Sequence, residues 1–102
     1  MLNQNLNQLK IAHLNIQSVK NKIEELKNYL IINNIDIISL NETMLKSKNI
    51  FKINNYNCVR CDRKHKRGGG VCLLIHKSID YNVIDLNQKD DIEYVAIKIN
   101  NI

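Results

Sequence analysis

The sequence predicts an α/β fold in which one β–α–β crossover is followed by antiparallel strands. Three observations carry that expectation. The runs Leu9–Leu14 and Ile35–Leu40 are short and apolar, and they bracket a single helical stripe. Two later runs, Tyr56–Cys61 and Gly70–His76, flank a tip of basic residues and glycine. A last run, Glu93–Ile99, alternates as a half-buried strand does.

In the first run Leu9, Ile11 and His13 alternate with Lys10, Ala12 and Leu14, the period of a strand. Ser18 is placed to cap a helix, because its hydroxyl can accept from the open amides of a first turn. Val19, Ile23, Leu26 and Leu30 follow at spacings of four, three and four and form one apolar stripe. Asn33-Asn34 should end the helix, since Asn tolerates the left-handed conformation of a C-cap. Residues 35–40 are apolar and β-branched on both sides, as in a strand covered on both faces. Residues 44–55 read as a loop with weak structure. Gly68, Gly69 and Gly70 give the chain freedom to turn back and let a neighbouring backbone come close. Residues 1–8 are polar and Asn-rich and should be disordered, leaving 9–102 as one domain.

At 102 residues the chain is one small domain, with a thin stability margin. No stretch approaches the ~20 apolar residues of a membrane span, and no signal-peptide pattern opens the chain. An intracellular protein with reduced thiols is expected, and three cysteines, an odd number, argue against a disulfide framework. The net charge is +5, and Arg60, Arg63, Lys64, Lys66 and Arg67 concentrate it within eight residues. Such a cluster favours polyanions; the plainer alternative is a solvated loop. Asn and Ile make up roughly a third of the chain, a bias better explained by an AT-rich coding sequence than by mechanism.

The chemistry is expected at one rim. A strand, a crossover helix and a parallel strand place both carboxyl ends together, where open α/β folds keep their sites. The first predicted strand ends at Asn15, and the second runs into Asn41-Glu42-Thr43. Neighbouring strands lie about 4.8 Å apart, so the Asn15 amide and the Glu42 carboxylate would share one small site. Their hard oxygens suit a divalent cation beside a phosphate oxygen. Two plainer roles compete: Glu42 as a strand-end acid on backbone amides, and Asn15 as an Asx turn opening the helix.

Other constellations are weaker. Cys58-x-x-Cys61 with His65, Cys72 and His76 offers enough ligands for zinc. Residues 58 and 61 would point to opposite faces of a strand, however, so small apolar packing accounts better for Cys58 and Cys72. His13 reads as an ordinary packed or hydrogen-bonded residue. The glycine triplet is no P-loop, because it opens a strand and follows its Lys and Arg residues.

Taken in order, "HLNIQSVKNKIEELKNYL", "DIISLNET", "YNCVRCDRKHKRGGGVCLLI" and "IEYVAIKI" resemble the start of an endonuclease/exonuclease/phosphatase domain. The pattern is most similar to the apurinic-like endonuclease of non-LTR (LINE-type) retrotransposon polyproteins, over residues 9–100. The resemblance implies a partial two-layered α/β sandwich. It also implies that Glu42 is a ligand of a catalytic Mg²⁺ and that Asn15 helps hold the metal and phosphate. Arg60, Arg63, Lys64, Lys66 and Arg67 would contact DNA phosphates. The family nicks DNA by Mg²⁺-dependent phosphodiester hydrolysis, alongside a reverse transcriptase, which implies a nuclear setting. Complete domains are more than twice this length, and their later Tyr, Gly-Asp-x-Asn and Asp-His motifs have no counterpart here. The expectation is therefore a truncated domain, inactive alone, whose partners are DNA and the remainder of the domain. A non-catalytic nucleic-acid-binding fragment and a non-functional pseudogene product are the alternatives.

Overall fold

In the computed structural model, which describes residues 8–64, 67–85 and 92–100, the expected crossover opens the fold. Strand β1 (Ile11–Asn15) leads through helix α1 (Ile23–Ile32) to β2 (Ile37–Asn41). The two strands pair in parallel, Ile11 opposite Ile37 and Asn15 opposite Asn41. Strands β3 (Tyr56–Cys61) and β4 (Val71–His76) form an antiparallel hairpin, and β4 also pairs antiparallel with β2. The sheet order is thus β1-β2-β4-β3. A separate ribbon joins β5 (Tyr81–Val83) to β6 (Ile97–Ile99).

A buried acid starts β2. Asp36, 7% exposed, accepts from the Lys10 amide, while its own N–H and that of Ile37 donate to the Lys10 carbonyl. The Asp36 carbonyl in turn accepts from His76 N–H, so one residue sets the register of three strands. That requirement delays the strand to Ile37, two residues later than the apolar run suggests.

The helix departs from expectation at its start and matches it at its end. Ser18 does not cap it. Gln17, Ser18 and Asn21 all have positive φ, which excludes a helix there, and α1 begins after Lys22. Residues 16–19 instead extend the β1 pairing, with the amides of Ile16, Ser18 and Val19 donating to the carbonyls of Asn41, Glu42 and Thr43. The predicted apolar stripe is still the buried one, because Val19 packs inward from the turn beside Leu26 and Leu30. Glu24 and Glu25 lie in the first turn, where the helix dipole favours acids. At the other end Asn34 takes the left-handed conformation, φ 50°. Its N–H donates to Ile31 and that of Ile35 to Leu30, the two bonds of a Schellman stop. Leu30 and Ile35 share the core cluster, completing the motif's apolar contact.

Apolar residues cover both faces of the sheet unequally. On one face α1 and the 44–55 segment, irregular as expected, bury Ile38, Leu40, Leu74 and Cys72 together with Leu45, Phe51 and Ile53. On the other, the β5–β6 ribbon lies over Ile37 and Ile75, with Val59 and Leu73 packed alongside. The ribbon leaves β1 uncovered: Ile11 is 63% exposed, and His13 and Asn15 are exposed too. The last strand is shorter than the alternation predicts, Ile97–Ile99 in place of 93–99, because Glu93 is drawn away to the β3–β4 turn. Its partner β5 is three residues long, too short for the alternation of Tyr81 and Val83 about Asn82 to mark a strand in the sequence. The N-terminal expectation of disorder concerns residues that, except Gln8, lie outside those described.

The helix stop gives the first test. Asn34→Ala should cost about 1 kcal/mol, the penalty of a left-handed non-glycine residue, and lower the melting midpoint by roughly 4–8 °C. Asn34→Gly should hold or raise it. Thermal melts followed by circular dichroism distinguish the two outcomes.

Candidate active site

Parallel pairing sets the rim at the carboxyl ends of β1 and β2. Direct register places Asn15 beside Asn41, on the same face of the sheet. One residue further, Glu42 adopts φ 55° and turns its carboxylate back towards β1. The Asn15 side-chain amide donates to Glu42 Oε2 at 2.6 Å. The structure therefore brings together the two residues the sequence singles out. That bond uses the NH₂ end of Asn15 and one carboxylate oxygen, leaving the Asn15 carbonyl and Glu42 Oε1 as acceptors.

Backbone clamps hold Glu42 from two sides. Towards β1, Ser18 N–H donates to the Glu42 carbonyl at 2.7 Å and Val19 N–H to the Thr43 carbonyl at 3.1 Å. Towards β4, Thr43 N–H donates to Gly70 and Met44 N–H to Gly69, at 3.2 and 2.8 Å. Gly70 permits this approach: a Cβ there would stand 2.4 Å from Thr43 Oγ1, and its φ of +90° already excludes most side chains. The expectation that the glycines admit a neighbouring backbone is met by residues 43 and 44.

Two residues the sequence did not single out support the rim. Asn41 Oδ1 is buried and has no hydrogen-bond partner among the described residues, beside Asn15. Glu93 reaches across from the segment before β6. Its Oε1 accepts from Gly70 N–H at 2.8 Å, and its Oε2 pairs with Arg63 Nε. Arg63, foremost, and the Gly70 amide hold the Glu93 carboxyl below its ordinary value. In the sequence Glu93 is only the first residue of an alternating run, and nothing local marks it.

The basic segment is not uniform. Arg60 is engaged internally, with its guanidinium on Asp62 and on the carbonyls of Lys46 and Asn49. Arg63 is engaged by Glu93 and by the Arg67 carbonyl. Arg60 and Arg63, two of the expected phosphate contacts, thus already hold partners within the chain. Lys64 and Arg67 are exposed at the tip, and Lys66 lies outside the described residues.

The cysteine cluster takes the packing role. Cys58 and Cys72 lie side by side, Sγ to Sγ 3.8 Å, while Cys61 stands opposite Val71 on the other face of the hairpin. His76 Nδ1 contacts Ser78 Oγ at 3.0 Å, and its ring meets Tyr56 edge-on; His65 lies outside the described residues. Among the described residues no three His, Cys, Asp or Glu side chains gather as a metal site. His13 is hydrogen-bonded as expected, Nδ1 to Ser39 Oγ at 3.0 Å, on the uncovered face.

No family model matches the chain, and no curated protein is similar to it. Among solved structures it is similar to NExo, a 3′ phosphatase from Neisseria solved bound to a product DNA hairpin, at 19% identity and a TM-score of 0.62. The match covers 91% of this chain and 38% of that one, so the chain spans well under half its length. The likeness is one of fold: the crossover, the hairpin and the ribbon share the α/β architecture of part of that structure.

Glu93 supplies a pH test. Its carboxyl is depressed in the folded state, so the stability it contributes is present above the unfolded value. That stability is lost as pH falls through the lower folded value. Glu93→Gln should cost about 1 kcal/mol at neutral pH, as a partly exposed pair does, and flatten the acid limb of stability. Urea melts between pH 3 and 7 check the sign: equal slopes in both proteins would refute the role given to Glu93.

Proposed function

We propose that this chain is the metal-binding portion of a DNA phosphodiester hydrolase of the non-LTR retrotransposon endonuclease type, and that it does not cleave DNA by itself. The observation that supports it most is the Asn15–Glu42 hydrogen bond at the shared rim of two parallel strands. The donor set fits Mg²⁺ in kind: one carboxylate, the Asn15 carbonyl and the buried Asn41 Oδ1, which has no hydrogen-bond partner among the described residues, are all hard oxygens. Glu42 would hold the ion, with Asn15 beside it. When bound, Mg²⁺ supplies a Lewis acid that polarises a phosphoryl oxygen.

The chain's own residues have narrower tasks. Asn15 fixes the Glu42 carboxylate in one orientation, and the clamps on residues 42–44 keep it at the rim. Lys64 and Arg67, exposed at the hairpin tip, fit phosphate contacts that give affinity without reading bases. The carboxylates of Asp36 and Asp62 have different duties. Asp36 is buried at the start of β2 and holds Lys10; Asp62 pairs with Arg60. Neither is placed to activate a water at Glu42, and a single carboxylate dehydrates Mg²⁺ poorly. The similar solved structure is a 3′ phosphatase bound to product DNA, and this chain covers 38% of it. The remaining acid–base groups would come from a further segment or a partner chain.

The decisive experiment pairs cleavage with binding. A supercoiled plasmid and Mg²⁺ should show no Glu42-dependent nicking; activity lost in Glu42→Ala would overturn the claim of inactivity. Mg²⁺ titration should shift the Asn15 side-chain amide resonance saturably in the native chain. In Glu42→Ala that shift should vanish, and its persistence would remove Glu42 from the site.

A second reading, a binding fragment without catalysis, is favoured by the exposure of Lys64 and Arg67 at the tip. Replacing both with Gln should lower the slope of log affinity against log salt by about 2 on duplex DNA, uniformly across sequences. An unchanged slope would place the DNA contacts elsewhere.

A further inference from the structure

We propose that Cys58 and Cys72 form a reversible intrachain disulfide across the β3–β4 hairpin when the chain meets a small-molecule disulfide of the oxidised-glutathione class. The hairpin register sets Cys58 opposite Leu74 and Cys72 opposite Arg60, so the two thiols are diagonal neighbours on the same face. Their sulfurs are already in contact at 3.8 Å. A disulfide needs about 2.05 Å between sulfurs, so diagonal neighbours close it only with movement of the paired strands. Cys61 is excluded by geometry, because three residues along a strand place it on the opposite face.

The two thiols divide the work by access and acidity. Cys58 is half-buried and meets the reagent first, whereas Cys72 is fully buried. The hydrogen bond shared with Cys72 lowers the Cys58 thiol and the Arg60 guanidinium adds to that, while burial and the Asp62 carboxylate oppose it. Cys58 thiolate attacks the reagent, whose S–S bond breaks and whose first half leaves as a thiolate that takes up a proton. Cys72 is held protonated by its bond to Cys58 and, next, by burial, and capping Cys58 removes the first of these. Cys72 then loses its proton, attacks the Cys58 sulfur and expels the second half of the reagent. The protein loses two hydrogens, and one small disulfide becomes two thiols. The new bond joins the strands whose turn carries Gly69 and Gly70, the residues that hold the backbone of 43 and 44.

Tryptic cleavage makes the pairing unambiguous, because the three cysteines fall on separate peptides, 53–60, 61–63 and 68–77. The native chain is treated with oxidised glutathione, alkylated, denatured and mapped by mass without reduction. The expected result is a monomer lighter by two hydrogens, with 53–60 joined to 68–77 and Cys61 alkylated. Cys61→Ser should retain that bridge, and Cys58→Ser and Cys72→Ser should each lose it. In guanidinium the selectivity should collapse towards Cys58–Cys61, its nearer neighbour in sequence. A bridge through Cys61, a covalent dimer, a persistent glutathione adduct, or the same pairing in unfolded chain would each overturn the proposal.

Discussion

Residues 41–44 are held between two stretches of backbone, 16–19 on the β1 side and Gly69–Gly70 on the β4 side, and the rest of the rim follows from this. A short segment bonded on both edges has little freedom, so its unusual backbone, φ 55° at Glu42 and 62° at Met44, is imposed rather than locally preferred. Glu42 is thereby aimed at Asn15. Loss of either side would let the segment relax towards an ordinary extended path and swing the carboxylate off the rim.

The two sides of this clamp are secured differently. The β1 side depends on continuing a parallel ladder past Asn15, and that ladder is registered by Asp36 and Lys10 at the far end. Lys22 adds a tie there, its ammonium donating to the carbonyls of Ile16 and Gln17. The β4 side depends on glycine geometry and on a charge pair brought from far along the chain. Hydrophobic packing on the helix face supports both but specifies neither, since apolar contact is not directional.

How far the sequence disclosed this depends on how local each signal is. The crossover, the hairpin and the Asn34 stop were legible because each is written in a contiguous period or a single turn residue. Asn15 and Glu42 were legible as neighbours because parallel pairing of adjacent strands leaves little choice of partner. The helix start is not legible at Ser18, where pairing with the Glu42 carbonyl overrides a good capping residue. Glu93 was not legible as a support, because its partners Arg63 and Gly70 lie 30 and 23 residues away. The basic run was legible as charge but not as free charge, since the acceptors of Arg60 include backbone carbonyls, which carry no sequence mark.

The span of these contacts has a consequence for how the rim can form. The bonds that define it close loops of 27, 23 and 30 residues, for Asn15–Glu42, Gly70–Glu93 and Arg63–Glu93. Closure entropy rises only logarithmically with length, so the three events carry nearly equal penalties. Each separation is roughly a quarter of the chain, so the rim is made of non-local contacts, the kind that form slowly and after local structure. A nascent chain that has emerged as far as Glu93 already carries every atom these three bonds need.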